Sequence, residues 1–211
     1  MSDQGFTQFL VDCVVRPRQA ARTAHGIDKT WSVVILASAV VALTVGIGLW
    51  IRMRSETDPD VFSFTGPGHA PLEAAIEAVI TFLISVVSFP LGVFIWNKLF
   101  GFHPQSRSVI AAVTAGFGLA LVTAPLFEVL TTALWAAGVA AYDWLPMTAN
   151  IALSLGLSTV YFSEALAISF ASALARNIIS GILLLVILGL PIAAIAAIPI
   201  LAEGVSDGAA Q

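Results

Sequence analysis

Between Leu83 and Phe127 the chain reads LISVVSFPLGVFIWNKLF, then GFHPQSRS, then VIAAVTAGFGLALVTAPLF. Few folds accept such a stretch. Trp96, Asn97 and Lys98 end the first apolar run, and a polar turn with His103, Pro104, Gln105 and Arg107 leads into the second. A bilayer core is about 30 Å thick, and a helix needs about 20 apolar residues to cross it. Both runs are long enough once the first is extended back to Ala74. The pattern therefore predicts a hairpin of two membrane-crossing helices. Short loops rich in Lys and Arg stay on the cytoplasmic side. Lys98 and Arg107 thus hold this turn at the cytoplasm, and the rest of the topology follows from it.

Composition agrees. Apolar residues make up 58% of the 211 and charged residues 10%, against about 25% charged in soluble domains. Strand alternation is absent, so a barrel is not expected. The net charge of -4 says little, because charge in such a chain is sorted by side of the membrane. The single cysteine, Cys13, rules out an internal disulfide. The first apolar run begins near residue 31, after a polar segment, which reads as an uncleaved anchor rather than a signal peptide.

Residues 1–30 form a polar lead. Phe6, Phe9, Leu10, Cys13 and Val14 recur at helical spacing beside Asp12, Arg16 and Arg18, and Pro17 interrupts or ends the helix. Two compatible readings stand. The lead lies in the interface with Arg16, Arg18 and Arg22 toward anionic headgroups, or it caps the cytoplasmic ends of the spans. The first span is expected at 31–51, with Trp31 and Trp50 in the two aromatic belts. Residues 52–73 form an outside loop, whose 62–68 stretch is turn chemistry. The second span is 74–96, kinked at Pro90, with Glu77 near its outer end.

The run from Val109 to Tyr142 is 34 residues, about 51 Å as a helix and too long for one crossing. One span at 109–131 with a kinked extension to 142 past Pro125 is expected; a re-entrant pair of half-helices is the alternative. The fourth span is 147–174, closed by Arg176. The fifth is 178–201, with Pro191 and Pro199, and 202–211 is an outside tail. Of the nine basic residues, Arg16, Arg18, Arg22, Lys29, Lys98, Arg107 and Arg176 then fall inside, and only Arg52 and Arg54 outside. The expected fold is an all-α polytopic membrane bundle of five spans, N-terminus cytoplasmic and C-terminus outside. Ala112, Gly116 and Ala120, spaced by four, form a seam for close helix packing. No repeat suggests the inverted halves of a transporter.

Two acids, Glu128 and Glu164, lie within apolar runs, where ionisable groups are costly. Glu128 would stand about 28 Å from the inner end of its helix, as an interfacial acid reaching water. Glu164 would stand ten residues, about 15 Å, from its inner end, near the midplane. Asn150, Ser154, Ser158, Tyr161 and Glu164 fall within about 120° of one another, a polar stripe that must face the bundle or a partner. The preferred reading is a protonated Glu164 serving as packing glue; the other is an ion or proton path. G-x-S-x-G, H-E-x-x-H and C-x-x-C are all missing. His25, His69 and His103 are split across the membrane and form no metal site. No phosphate loop follows a strand, and the basic residues are too dispersed for nucleic acid. No cofactor or metal is expected.

The lead V-R-P-R (Val15 to Arg18), the second span ending Ile95-Trp96 and Lys98-Leu99-Phe100-Gly101, the turn Ser106-Arg107, and Ala124-Pro125 in the third span complete the pattern. On these the whole chain resembles the Ypt-interacting-protein (Yip) family in its short bacterial form. Eukaryotic members carry a longer N-terminal region with an Asp-Leu-Tyr-Gly-Pro motif, which this chain lacks, so binding of small GTPases is not carried over. The resemblance implies a non-enzymatic protein of the bacterial cytoplasmic membrane that works through partners or lipid. The function expected is therefore a scaffold, adaptor or accessory subunit, with a membrane-protein partner or a second copy. The alternative is a small transporter or channel component with its path through Glu164.

Overall fold

The computed structural model describes residues 3–27, 29–55, 70–101, 106–139 and 144–208, with side chains outside 3–4, 54–70 and 192–208. Every regular element among them is a helix: α1 (Asp3–Val15), α2 (Pro17–Ala24), α3 (Thr30–Ser55), α4 (Ala70–Leu99), α5 (Ser106–Ala136), α6 (Trp144–Leu166) and α7 (Phe170–Gly208). Five contain stretches long and apolar enough to cross a membrane: Thr30–Met53, Pro71–Leu99, Ser106–Ala136, Trp144–Leu166 and Phe170–Pro191. The protein is an all-helical bundle with five candidate spans. Residues 56–69 of the expected loop, with His69, residues 102–105 of the turn, with His103, and the 140–143 connection lie outside the described residues; the flanks of that loop, 52–55 and 70–73, are helical and not loop.

α3 packs on α4 and on α5, α5 packs on α6, α6 on α7, and α7 reaches back to α4. The short helices α1 and α2 fill the groove between α5 and α6. Their buried Phe9, Cys13, Ala20, Ala21 and Ala24 join Val109, Ala112, Ala115, Leu119, Tyr161, Phe162 and Leu166 in one core. The approach is close because of Gly118: a Cβ there would come within 2.8 Å of Phe9 Cε1 and 2.9 Å of Cys13 Sγ. Gly118 is twelve residues into α5, about 18 Å. The lead is thus packed deep against α5 and α6.

Helix boundaries differ from the sequence expectation, most of all in α5, α6 and α7. The fourth span does not run to Leu174, and Arg176 does not close it. α6 ends at Leu166 in a Schellman turn, with Ala167 at φ +52° and bonds from Ile168 N to Ser163 O (3.1 Å) and Ala167 N to Glu164 O (3.4 Å). Ser169 then caps α7, its Oγ accepting from Ser172 N at 3.2 Å. Arg176 is therefore inside α7. The re-entrant pair is overturned as well: α5 passes Pro125 as one helix. It stops at Ala136, before the expected extension to Tyr142. Gly138 at φ +73° closes it with a second Schellman turn, Val139 N to Leu134 O and Gly138 N to Trp135 O, both 3.0 Å. Finally, α7 continues through most of the expected tail, to Gly208.

Candidate functional site

Glu128 and Glu164 each meet an arginine from another helix. Glu164 Oε1 accepts from Arg22 Nη2 at 2.5 Å and Nε at 2.8 Å, which ties α2 to α6. The corrected end of α6 explains how α2 comes within reach of Glu164. Glu164 stands two residues from Leu166, about 3 Å from the helix end, where α2 can reach it. Glu128 Oε1 accepts from Arg52 Nη1 at 2.5 Å, which ties α3 to α5 near the other end of the bundle. Its side chain is 18% exposed, so it does not stand free in water. Gly48 makes room for it, since a Cβ there would overlap the Glu128 carboxylate. Sequence reading missed Arg52 as a partner. The signal was available: Arg52 ends its span near the same interface to which Glu128 was assigned.

The rest of the stripe on α6 divides. Tyr161 is fully buried and donates from Oη to the Cys13 carbonyl at 2.5 Å, a second tie between the lead and α6. Ser154 donates to Asn150 Oδ1 at 3.4 Å. Ser158 faces α7, where its Oγ accepts from Asn177 Nδ2 at 3.3 Å; Thr159 accepts from the same amide at 3.2 Å. The five residues therefore do not form one path. Glu164 and Tyr161 hold the lead, and Ser158 belongs to a polar group shared with α7.

The seam of α5 is also placed differently from its sequence reading. Ala112 is buried, but with Gly116 and Ala120 it lines a cavity of about 310 Å³ between α4, α5, α6 and α7. Ser88, Gly92, Asn177, Ser180 and Gly181 line it as well. Close packing by small residues occurs instead at Gly118 against α1 and at Gly46, whose added Cβ would sit 3.0 Å from Ala78 Cβ. Below the cavity Trp96 stacks on Phe162, centroids 3.9 Å apart and planes 7° apart. Phe100 meets Trp96 edge-on at 5.2 Å, and the Arg176 guanidinium lies 5.5 Å from the Phe100 centroid.

Arg16, Arg18 and Arg22 line an open depression of about 630 Å³ with Pro17, Gln19 and Val160. All three arginines are exposed. Arg16 is the N-cap of α2 and makes no side-chain cap. Cys13 is buried under this segment, and burial pushes its thiol up to about 12, with Asp12 beside it acting in the same direction. Among the described residues no three His, Cys, Asp or Glu side chains gather as a metal site. No known protein family, curated protein or solved structure matches the chain.

Proposed function

We propose that this is a non-enzymatic integral membrane protein acting as a scaffold, adaptor or accessory subunit, with its N-terminus in the cytoplasm and its C-terminus outside. The observation that carries the reading is the Arg22–Glu164 pair. The acid that a transport path would need is engaged in fixing α2 on α6. The basic residues support the orientation. Arg16, Arg18, Arg22, Lys29, Lys98, Arg107 and Arg176 all lie toward the end of the bundle where α1 and α2 sit, and cationic ends stay inside. The likeness to short Yip-type chains points to the bacterial cytoplasmic membrane. Arg16 and Arg18 meet anionic headgroups from the depression that they line.

Mass spectrometry of what co-purifies in mild detergent tests this reading: a stoichiometric membrane-protein partner or a second copy is expected. A transporter or channel component is the second reading. Its support is the cavity that Ser158 and Asn177 line. A saturable flux in proteoliposomes, with no co-purifying partner, would select it.

A further inference from the structure

We propose that the cavity between α4, α5, α6 and α7 is a binding site for one neutral lipid bearing a hydroxyl group. The inference goes beyond the scaffold reading and does not depend on it. Gly92, Gly116 and Gly181 come from three different helices and line the same space. A Cβ on any of them would meet no neighbouring atom within 4 Å. The glycines here bring no helices together; they widen a slot. Along α4 the slot runs from Ser88 to Trp96 and along α5 from Ala112 to Ala120, eight residues or about 12 Å in each case. One leaflet is about 15 Å deep, so the slot suits a lipid of a single leaflet. Its volume of about 310 Å³ falls at the small end of ligand cavities, about 300–1,000 Å³.

The wall selects the chemistry. Leu155, Phe117, Val113 and Leu184 make it apolar, and no charged side chain lines it. A charged headgroup would be desolvated without a partner. Four neutral polar residues line the slot: Ser88, Ser158, Asn177 and Ser180. Ser88 Oγ donates to Ser85 O at 2.7 Å and Ser158 Oγ to Leu155 O at 3.1 Å. Their hydrogens are thus directed to the backbone; Ser88 Oγ keeps its acceptor capacity, and Ser158 Oγ, which already accepts from Asn177 Nδ2 at 3.3 Å, keeps one lone pair. The group that satisfies such a wall is a donor without charge, a hydroxyl. Trp96 stacked on Phe162 closes the lower end.

The test uses the full chain in mild detergent and a photoreactive, alkyne-tagged long-chain alcohol, with the matching alkane and carboxylate as controls. Peptide mapping after irradiation is expected to place the alcohol on the wall residues of α4 to α7. Gly116→Leu and Gly181→Leu fill the slot. Each is expected to lower that labelling about tenfold with an unchanged or higher melting temperature. Gly92→Leu replaces either variant that does not fold. Labelling that persists in the filled variants, or that maps only to the outward face of α7, overturns the site. Equal labelling by the alkane, or stronger labelling by the carboxylate, overturns the hydroxyl-bearing ligand.

Discussion

Glu164 shows what a side chain's depth is worth. Taken as a midplane acid it should be neutral; placed at the end of α6 it has an arginine within hydrogen-bonding distance. The two Arg–Glu pairs differ in exposure, and that sets their strength. Arg22 is 74% exposed and Glu164 23%, so solvent screens the pair. A double-mutant cycle of Arg22→Gln and Glu164→Gln, read by melting in detergent, should return a coupling of at most about 1 kcal/mol. Arg52 and Glu128 are 22% and 18% exposed. Removing either partner alone should cost about 3 kcal/mol, with part recovered in the double variant. Cys13 is the third residue whose environment decides its chemistry. Its folded pKa of about 12 lies above the ordinary 9.0, so the folded state holds the thiol proton more tightly. That contribution to stability is complete below pH 9 and is lost as pH rises from 9 toward 12. Melting at pH 8 and pH 10.5 should therefore differ more in the native chain than in Cys13→Ala. Maleimide should label Cys13 only after unfolding. At this scale the sequence revealed which residues were costly in a membrane but not their partners, because Arg22 and Glu164 are 142 positions apart.

The helices themselves were legible, and their ends were not. Apolar length located all five spans, since that pattern answers directly to the bilayer. The ends of α5 and α6 answer to local backbone chemistry instead. Gly138 was a readable stop signal, a glycine at the left-handed position of a Schellman turn. The stop after Leu166 has no such signal, because Ala167 takes the left-handed position. The basic Arg176 drew the boundary away from it, and Ser169 with its bond to Ser172 N was the only local mark of the new helix. A residue with a Cβ pays about 1–2 kcal/mol in that conformation. Ala167→Gly should therefore raise stability by about 1 kcal/mol, measured as a higher melting temperature with unchanged helix content. A lower melting temperature would mean that the turn is held by something other than the two backbone bonds described.

At the scale of the whole molecule, periodicity told which segments are helices and nothing of which helices touch. The insertion of α1 against Gly118 and the open slot beside Gly116 lie two residues apart on α5, and no spacing rule separates a glycine that admits a neighbour from one that leaves a space. The proposed topology rests on the distribution of charge. In a Cys13→Ala background, cysteines at positions 55–70 and 209–211 should label from outside, and those at 101–107 only after permeabilisation. Labelling of 209–211 from the cytoplasm alone would remove the five-crossing arrangement. The central claim is that Glu164 is an architectural acid and not part of a transport path. The most direct measurement is proton and cation flux in proteoliposomes holding the native chain or Glu164→Gln. Both should match empty vesicles. A saturable flux in the native chain that Glu164→Gln abolishes, with melting unchanged, would contradict it.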